Sequence, residues 1–148
     1  MLRSLMMMVT RRYRFSAAHR LHSPALSAED NRAVYGKCNN PLGHGHDYLL
    51  EVSVRGPVDE GTGRVVDPAC LDELVRVRVL AALDHHNLNA QLTDLEGQPP
   101  TTENLARIAW RRLQDAWAGT FPSGPRLARI RLEETRRNSF EMMEEGEE

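Results

Sequence analysis

Two stretches of the chain alternate with a period of two, and they do so in phase with its histidines. Over residues 9–19 the odd positions read Val9, Arg11, Tyr13, Phe15, Ala17 and His19, largely apolar, while Thr10, Arg12, Arg14 and Ser16 take the even ones. Over residues 46–54 the even positions read His46, Tyr48, Leu50, Val52 and Val54, with Asp47, Glu51 and Ser53 between them. Successive side chains of a strand point to opposite faces, so each stretch predicts a half-buried β-strand with one apolar and one polar face. If the two pair as antiparallel neighbours, the end of the first lies beside the start of the second, and His19 comes close to His44 and His46. Parity puts all three imidazoles on the apolar faces.

Three imidazoles converging at one end of a sheet suit a tetrahedral Zn²⁺ whose fourth position stays open, the arrangement of a catalytic site. On the residues alone, two other readings remain. The histidines are ordinary polar residues at strand ends, or Cys38, which opens the run CNNPLGHGH at 38–46, is a fourth ligand and the zinc is structural.

The remaining elements follow from the same periodicities. Asp67 can cap a helix with Pro68 in its first position, and Leu71, Leu74, Val75, Val79, Ala82 and Leu83 then form its apolar stripe, ending at Asp84-His85-His86. After Gly97-Gln98-Pro99-Pro100, Thr101 or Thr102 can cap a second helix with the stripe Leu105, Ile108, Ala109, Leu113 and Trp117, and Gly119 is a plausible stop. Residues 127–135 alternate again, with Ala128, Ile130, Leu132 and Glu134 on one face, and 139–143 read as a short last strand. The order ββααβ(β) predicts an α+β layer in which two helices cover one face of an antiparallel sheet, leaving the other face for a partner chain.

The length of 148 residues predicts one domain over 1–148, with 141–148 an acidic, frayed end. A net charge of −2, with 19 Lys and Arg against 21 Asp and Glu, offers no concentrated basic face for nucleic acid. No run approaches the roughly 18 apolar residues of a membrane span. Two cysteines, Cys38 and Cys70, are too few for a disulfide framework, and the start MLRSLMMMV lacks the features of a secretory signal, so a cytoplasmic setting is expected. Cys70 reads as a small apolar helix residue, and His22 and His86 as polar residues without a site role.

Taken together, FSAAHRL, YGKCNNPLGHGHDY, LDHHNLN, TTENLA and LEET resemble the 6-pyruvoyl-tetrahydropterin synthase family, in order from about Phe15 to Thr135. The C-x5-HGH spacing resembles the pyruvoyl-forming type rather than the related 6-carboxy-tetrahydropterin synthases. Leu42, where the family often has Asn, and His86, where Lys is common, depart from the pattern. The resemblance implies a T-fold: a four-stranded antiparallel sheet with two helices on one face, trimers closed into a barrel, and two trimers stacked into a hexamer. It implies His19, His44 and His46 as zinc ligands, Cys38 as catalytic base, and Asp84 with His85 as its proton-handling partners from a neighbouring subunit. It implies that Glu134 anchors the pterin ring, a role its place on the covered face supports, because a buried carboxylate needs a partner such as two parallel N–H donors. Thr101 and Thr102 are then helix caps, pterin contacts, or both. The implied reaction turns 7,8-dihydroneopterin triphosphate, a small-molecule substrate, into 6-pyruvoyl-tetrahydropterin and triphosphate; the rivals are the carboxy-type reaction of deazapurine biosynthesis and a non-catalytic, zinc-stabilised pterin-binding module.

Overall fold

Strand β1 (Met7–His19) pairs antiparallel with β2 (His44–Gly56), and the register sets His19 opposite His44 and Ala17 opposite His46. The computed structural model, which describes residues 5–145, continues this sheet through β3 (Arg126–Thr135) and β4 (Asn138–Met143) in the order β1-β2-β3-β4, every pair antiparallel. The last strand takes in residues 141–143, so the acidic end begins later than the sequence suggests. Residues 146–148 lie outside the described part.

One face of the sheet is apolar as the alternation predicts: Phe15, Tyr48, Leu50, Val52, Val54, Ile130 and Leu132 are buried. Two helical segments cover it. The first is α2 (Pro68–Val75), capped by the Asp67 carboxylate on the Ala69 N–H, then a π-helical turn Arg76–Leu80, then α3 (Ala81–Leu83). Its stripe Leu71, Val75, Val79 and Leu83 is spaced by four, longer than the 3.6-residue turn, and the wider π turn keeps Val79 and Leu83 on the core side. The second is α5 (Thr102–Thr120), whose Leu105, Ile108, Ala109, Leu113 and Trp117 complete the core. It runs one residue past Gly119.

Two β-bulges modify the alternation. A register shift at Ser53/Val54 leaves Ala128 outside the pairing, so Leu127, opposite Val54, takes the buried place expected of Ala128. A second shift, between Glu133 and Thr135, falls at Glu134. Bulges of this kind bend a strand and re-aim side chains.

Two short helices were not legible from apolar periodicity. In α1 (Ala28–Tyr35), Ser27 caps the first turn by accepting the Asp30 N–H, a signal present in the sequence as Ser-x-x-Asp. Buried Asn31 accepts from the Ser23 N–H and donates to the carbonyls of Ser23, Leu26 and Ser27, tying the preceding loop to the helix. The 3-10 turn Gly36–Asn39 follows and carries Cys38. Helix α4 (Leu88–Gln91) is capped by Asn87.

Candidate active site

At the β1/β2 end the three imidazoles stand together, with ring centroids 4.8 Å apart for His19 and His44, 5.0 Å for His19 and His46, and 4.7 Å for His44 and His46. One nitrogen from each falls within 4.8 Å of the others, and these three form the described residues' group of metal-ligand type. Pairing puts them there: His19 and His44 face each other across the ladder, and His46 follows two residues on, on the same side. Gly43 turns the chain into β2 at φ 72°, where a Cβ would stand 3.2 Å from the His19 carbonyl oxygen, so glycine meets both the conformation and the close approach.

His19 is 1% exposed, and its Nδ1 lies 3.0 Å from the Pro100 carbonyl oxygen. A carbonyl only accepts, so Nδ1 carries the proton and Nε2 keeps its lone pair. That Nε2, like the Nε2 of His46, is buried with no hydrogen-bond partner. The Glu134 carboxylate reaches 3.4 Å from His46 Nε2, close enough for charge attraction but not aligned as a hydrogen bond. Burial pushes both imidazoles toward the neutral form that ligates a metal. Orphaned acceptors, a fixed tautomer and neutral rings fit a metal ion at this point.

Glu134 closes one side of the cluster. The Thr102 hydroxyl donates to its Oε2, and Thr102 is buried. The two threonines that the sequence left interchangeable divide the work: Thr101 caps α5 by accepting the Asn104 N–H, and Thr102 turns inward to Glu134. Asn104 also donates to the Pro99 carbonyl, fixing the turn that supplies Pro100 to His19.

Cys38 lies near Glu134 and Tyr48 but outside the ligand-type group of three histidines. Burial, then the Glu134 carboxylate, push its thiol up. Its backbone is held where the Cys38 carbonyl accepts the Leu21 N–H, and buried Asn39 beside it donates to the Leu21 carbonyl. Tyr48 is the residue that sequence reasoning passed over: it is fully buried, its hydroxyl is 3.4 Å from His19 Nδ1, and burial drives its phenol strongly toward the neutral form. It continues the row of His44 and His46 on β2, which was the available signal.

Asp84 and His85 are brought to the edge of β1. Asp84 Oδ1 accepts the Ser16 N–H, the His85 N–H donates to the Ser16 carbonyl, and the Ala18 N–H to that of His86. His85 sits at φ 59°, is largely exposed, and lies 3.6 Å from Asp84 Oδ1. Among the described residues of one chain, neither forms a hydrogen bond or ion pair with the three histidines, Cys38 or Glu134.

An antiparallel sheet under two helices, with three converging histidines that could hold a metal ion beside a thiol and a carboxylate, defines the class as that of a metalloenzyme-like catalytic domain. The chain belongs to the 6-pyruvoyl tetrahydropterin synthase family, which it matches over residues 8–145. It is 47% identical over 106 residues to the Drosophila melanogaster 6-pyruvoyl tetrahydrobiopterin synthase, covering 72% of this chain and 63% of that one. With the Homo sapiens 6-pyruvoyl tetrahydrobiopterin synthase it shares 41% identity over 130 residues, 88% of this chain and 86% of the human protein. The solved structure of the Caenorhabditis elegans 6-pyruvoyl tetrahydropterin synthase superposes with a TM-score of 0.88 at 37% identity, covering 98% of this chain and all of that one. The fold is the T-fold. No described helix is long and apolar enough to cross a membrane.

Proposed function

We propose that this chain is a zinc-dependent lyase that converts 7,8-dihydroneopterin triphosphate to 6-pyruvoyl-tetrahydropterin with release of inorganic triphosphate. Its place in the synthase family makes it an enzyme of the lyase class. The observation that carries the metal and the site is the convergence of His19, His44 and His46, with the Nε2 atoms of His19 and His46 unpartnered and those two rings pushed toward the neutral form, and with Cys38 close by but outside their group.

His19, His44 and His46 would hold the zinc, and Pro100 keeps His19 in the ligating tautomer. A bound zinc supplies Lewis acidity, drawing charge from the substrate's side-chain hydroxyls so that the neighbouring C–H bonds lose protons more readily. Cys38 takes up such a proton. Burial and Glu134 favour its thiol, so the working thiolate depends on positive charge placed beside it. Glu134 accepts two parallel N–H groups of the pterin, exchanging the Thr102 hydroxyl for a charge-assisted bidentate contact. Thr101 keeps its O–H to donate while its oxygen caps α5. Asp84 orients His85 and stabilises its charged form, and the pair acts as acid or base in the site of a neighbouring subunit, which their place on the β1 edge supports. The working assembly is a hexamer of two trimers, in a reducing cytoplasm that keeps Cys38 a thiol.

Incubating the zinc-loaded protein with dihydroneopterin triphosphate and identifying the products tests this. The expected products are 6-pyruvoyl-tetrahydropterin and triphosphate. Acetaldehyde with a 6-carboxy pterin would establish the carboxy-type reaction instead, and pterin binding without turnover would leave a binding module.

A further inference from the structure

Alongside the cavity of about 610 Å³ that takes in His19 and Gly43 lies a second of about 480 Å³, and the two share Arg20 and Pro41. The second is lined by three cations, Arg20, Arg32 and Lys37, with Asn39 and Asn40, and no acidic residue lines it. Six arginines elsewhere are held in ion pairs: Arg11 by Asp72, Arg12 by Glu51, Arg76 by Glu73, Arg112 by Asp94, and Arg129 and Arg131 by Glu51 and Glu141. Arg20, Arg32 and Lys37 have no ion-pair partner among the described residues. Arg20 spends its Nε on the Asn39 carbonyl, and the charged ends of Arg32 and Lys37 make no hydrogen bond there. Three like charges around one cavity repel each other, a cost that a bound polyanion removes.

The cavity is anchored to the histidine cluster by the chain itself. Arg20 directly follows His19, and its backbone N–H and carbonyl are gripped by the Asn89 side chain at 2.7 and 2.8 Å. Lys37 directly precedes Cys38 in the 3-10 turn, and Arg32 sits in the last turn of α1 that leads into it. A ligand lying across both cavities would therefore set one end against His19 of the cluster and the other among the cations.

We propose that this cavity binds a polyphosphate chain, the triphosphate of the substrate before the reaction and free triphosphate after it. The identity of the organic part rests on the reaction proposed above; the anion site does not. Arg20 and Arg32 supply paired N–H donors to phosphate oxygens and Lys37 a point charge. Elimination of triphosphate leaves added negative charge on the departing group, and these cations stand where that charge would collect.

The test uses inorganic tripolyphosphate as probe on the zinc-loaded full chain, with Arg32→Gln, Lys37→Gln and the double variant. Both residues are exposed and their side chains make no hydrogen bond, so the variants keep the fold, checked by thermal midpoint. The expected result is a tripolyphosphate Kd raised roughly tenfold by each substitution, with a shallower salt dependence, while zinc content and affinity for unphosphorylated dihydroneopterin hold. With dihydroneopterin triphosphate, KM rises in the same order. An unchanged tripolyphosphate Kd in the double variant, as would follow if the probe bound only the zinc, overturns the site. If the parent protein binds tripolyphosphate through these residues yet does not turn over dihydroneopterin triphosphate, the anion site stands and the proposed reaction falls; turnover with a KM that the double variant leaves untouched does the opposite.

Discussion

The position of Cys38 is set by turns and its neighbours' hydrogen bonds, not by a strand, so its chemistry can be separated from the metal's. On the proposed mechanism Cys38→Ala retains one zinc per chain and lowers the single-turnover rate by about two to four orders of magnitude, the contribution of a positioned acid or base. Metal analysis and rate on the same preparation check this, and a zinc-free variant would make Cys38 a ligand. Glu134→Gln removes the charged acceptor while leaving the imidazoles intact, so pterin affinity should fall by roughly tenfold, about one charged hydrogen bond, with zinc retained; unchanged affinity in a direct titration would leave Glu134 a structural partner of Thr102. At this scale strand parity reads well, because it depends only on the period of two: it placed His19, His44, His46 and Glu134 on one face. The Pro100 carbonyl was not legible, since a backbone group from a turn 81 residues away carries no mark in the sequence.

Strands and long helices show themselves through repetition, and short elements through caps alone. Thus α1, eight residues long with one buried side chain, Asn31, has no apolar stripe to find, yet it delivers the turn bearing Cys38. The bulge at Glu134 escapes periodicity for a different reason, because it is a mismatch between two strands rather than a property of either. The 3-10 turn Thr93–Leu95, whose Leu95 is buried in the core, is tied to α5 by the Asp94 carboxylate, which takes 2.7 Å hydrogen bonds from both Nε and Nη2 of Arg112. That guanidinium holds the Asp94 carboxyl below its ordinary range. A carboxyl with a lowered folded pKa contributes its full stability above the unfolded value of about 3.9 and loses it as pH falls through the folded value. Asp94→Asn should therefore cost about 1 kcal/mol at pH 7, lowering the thermal midpoint by roughly 3 °C. The gap between parent and variant should close in melts taken progressively below pH 4; a gap independent of pH would mean that the carboxylate charge contributes nothing.

At the scale of the molecule, the sheet face away from the helices is not the apolar surface that would press for a covering layer. Glu51 and Ser53 are buried in it, and Arg12, Arg129 and Arg131 surround Glu51, so the buried carboxylate is paired within the chain. What remains unmet is at the edges. The His85–Asn87 segment covers β1 only beside Ser16 and Ala18, the earlier part of β1 begins with the exposed Met7 and Met8, and β4 forms the opposite edge with Met143 exposed. Unpaired edges can join edge to edge, and in the proposed hexamer this joining would close the sheets into a ring with the charged face inside. On the proposed hexamer, Asp84 and His85, already at the β1 edge, enter the site built by a neighbour's Cys38 and histidines. This predicts complementation between inactive chains. Cys38→Ala and His85→Ala, each nearly inactive alone, should after unfolding and refolding together regain activity, about a quarter of the parental level for random mixing in a closed homo-oligomer whose sites lie between chains. Mass measurement of the refolded mixture should give six chains. If the hexamer re-forms and no activity returns, both groups serve the same chain's site, and the shared site is wrong even though the assembly is right.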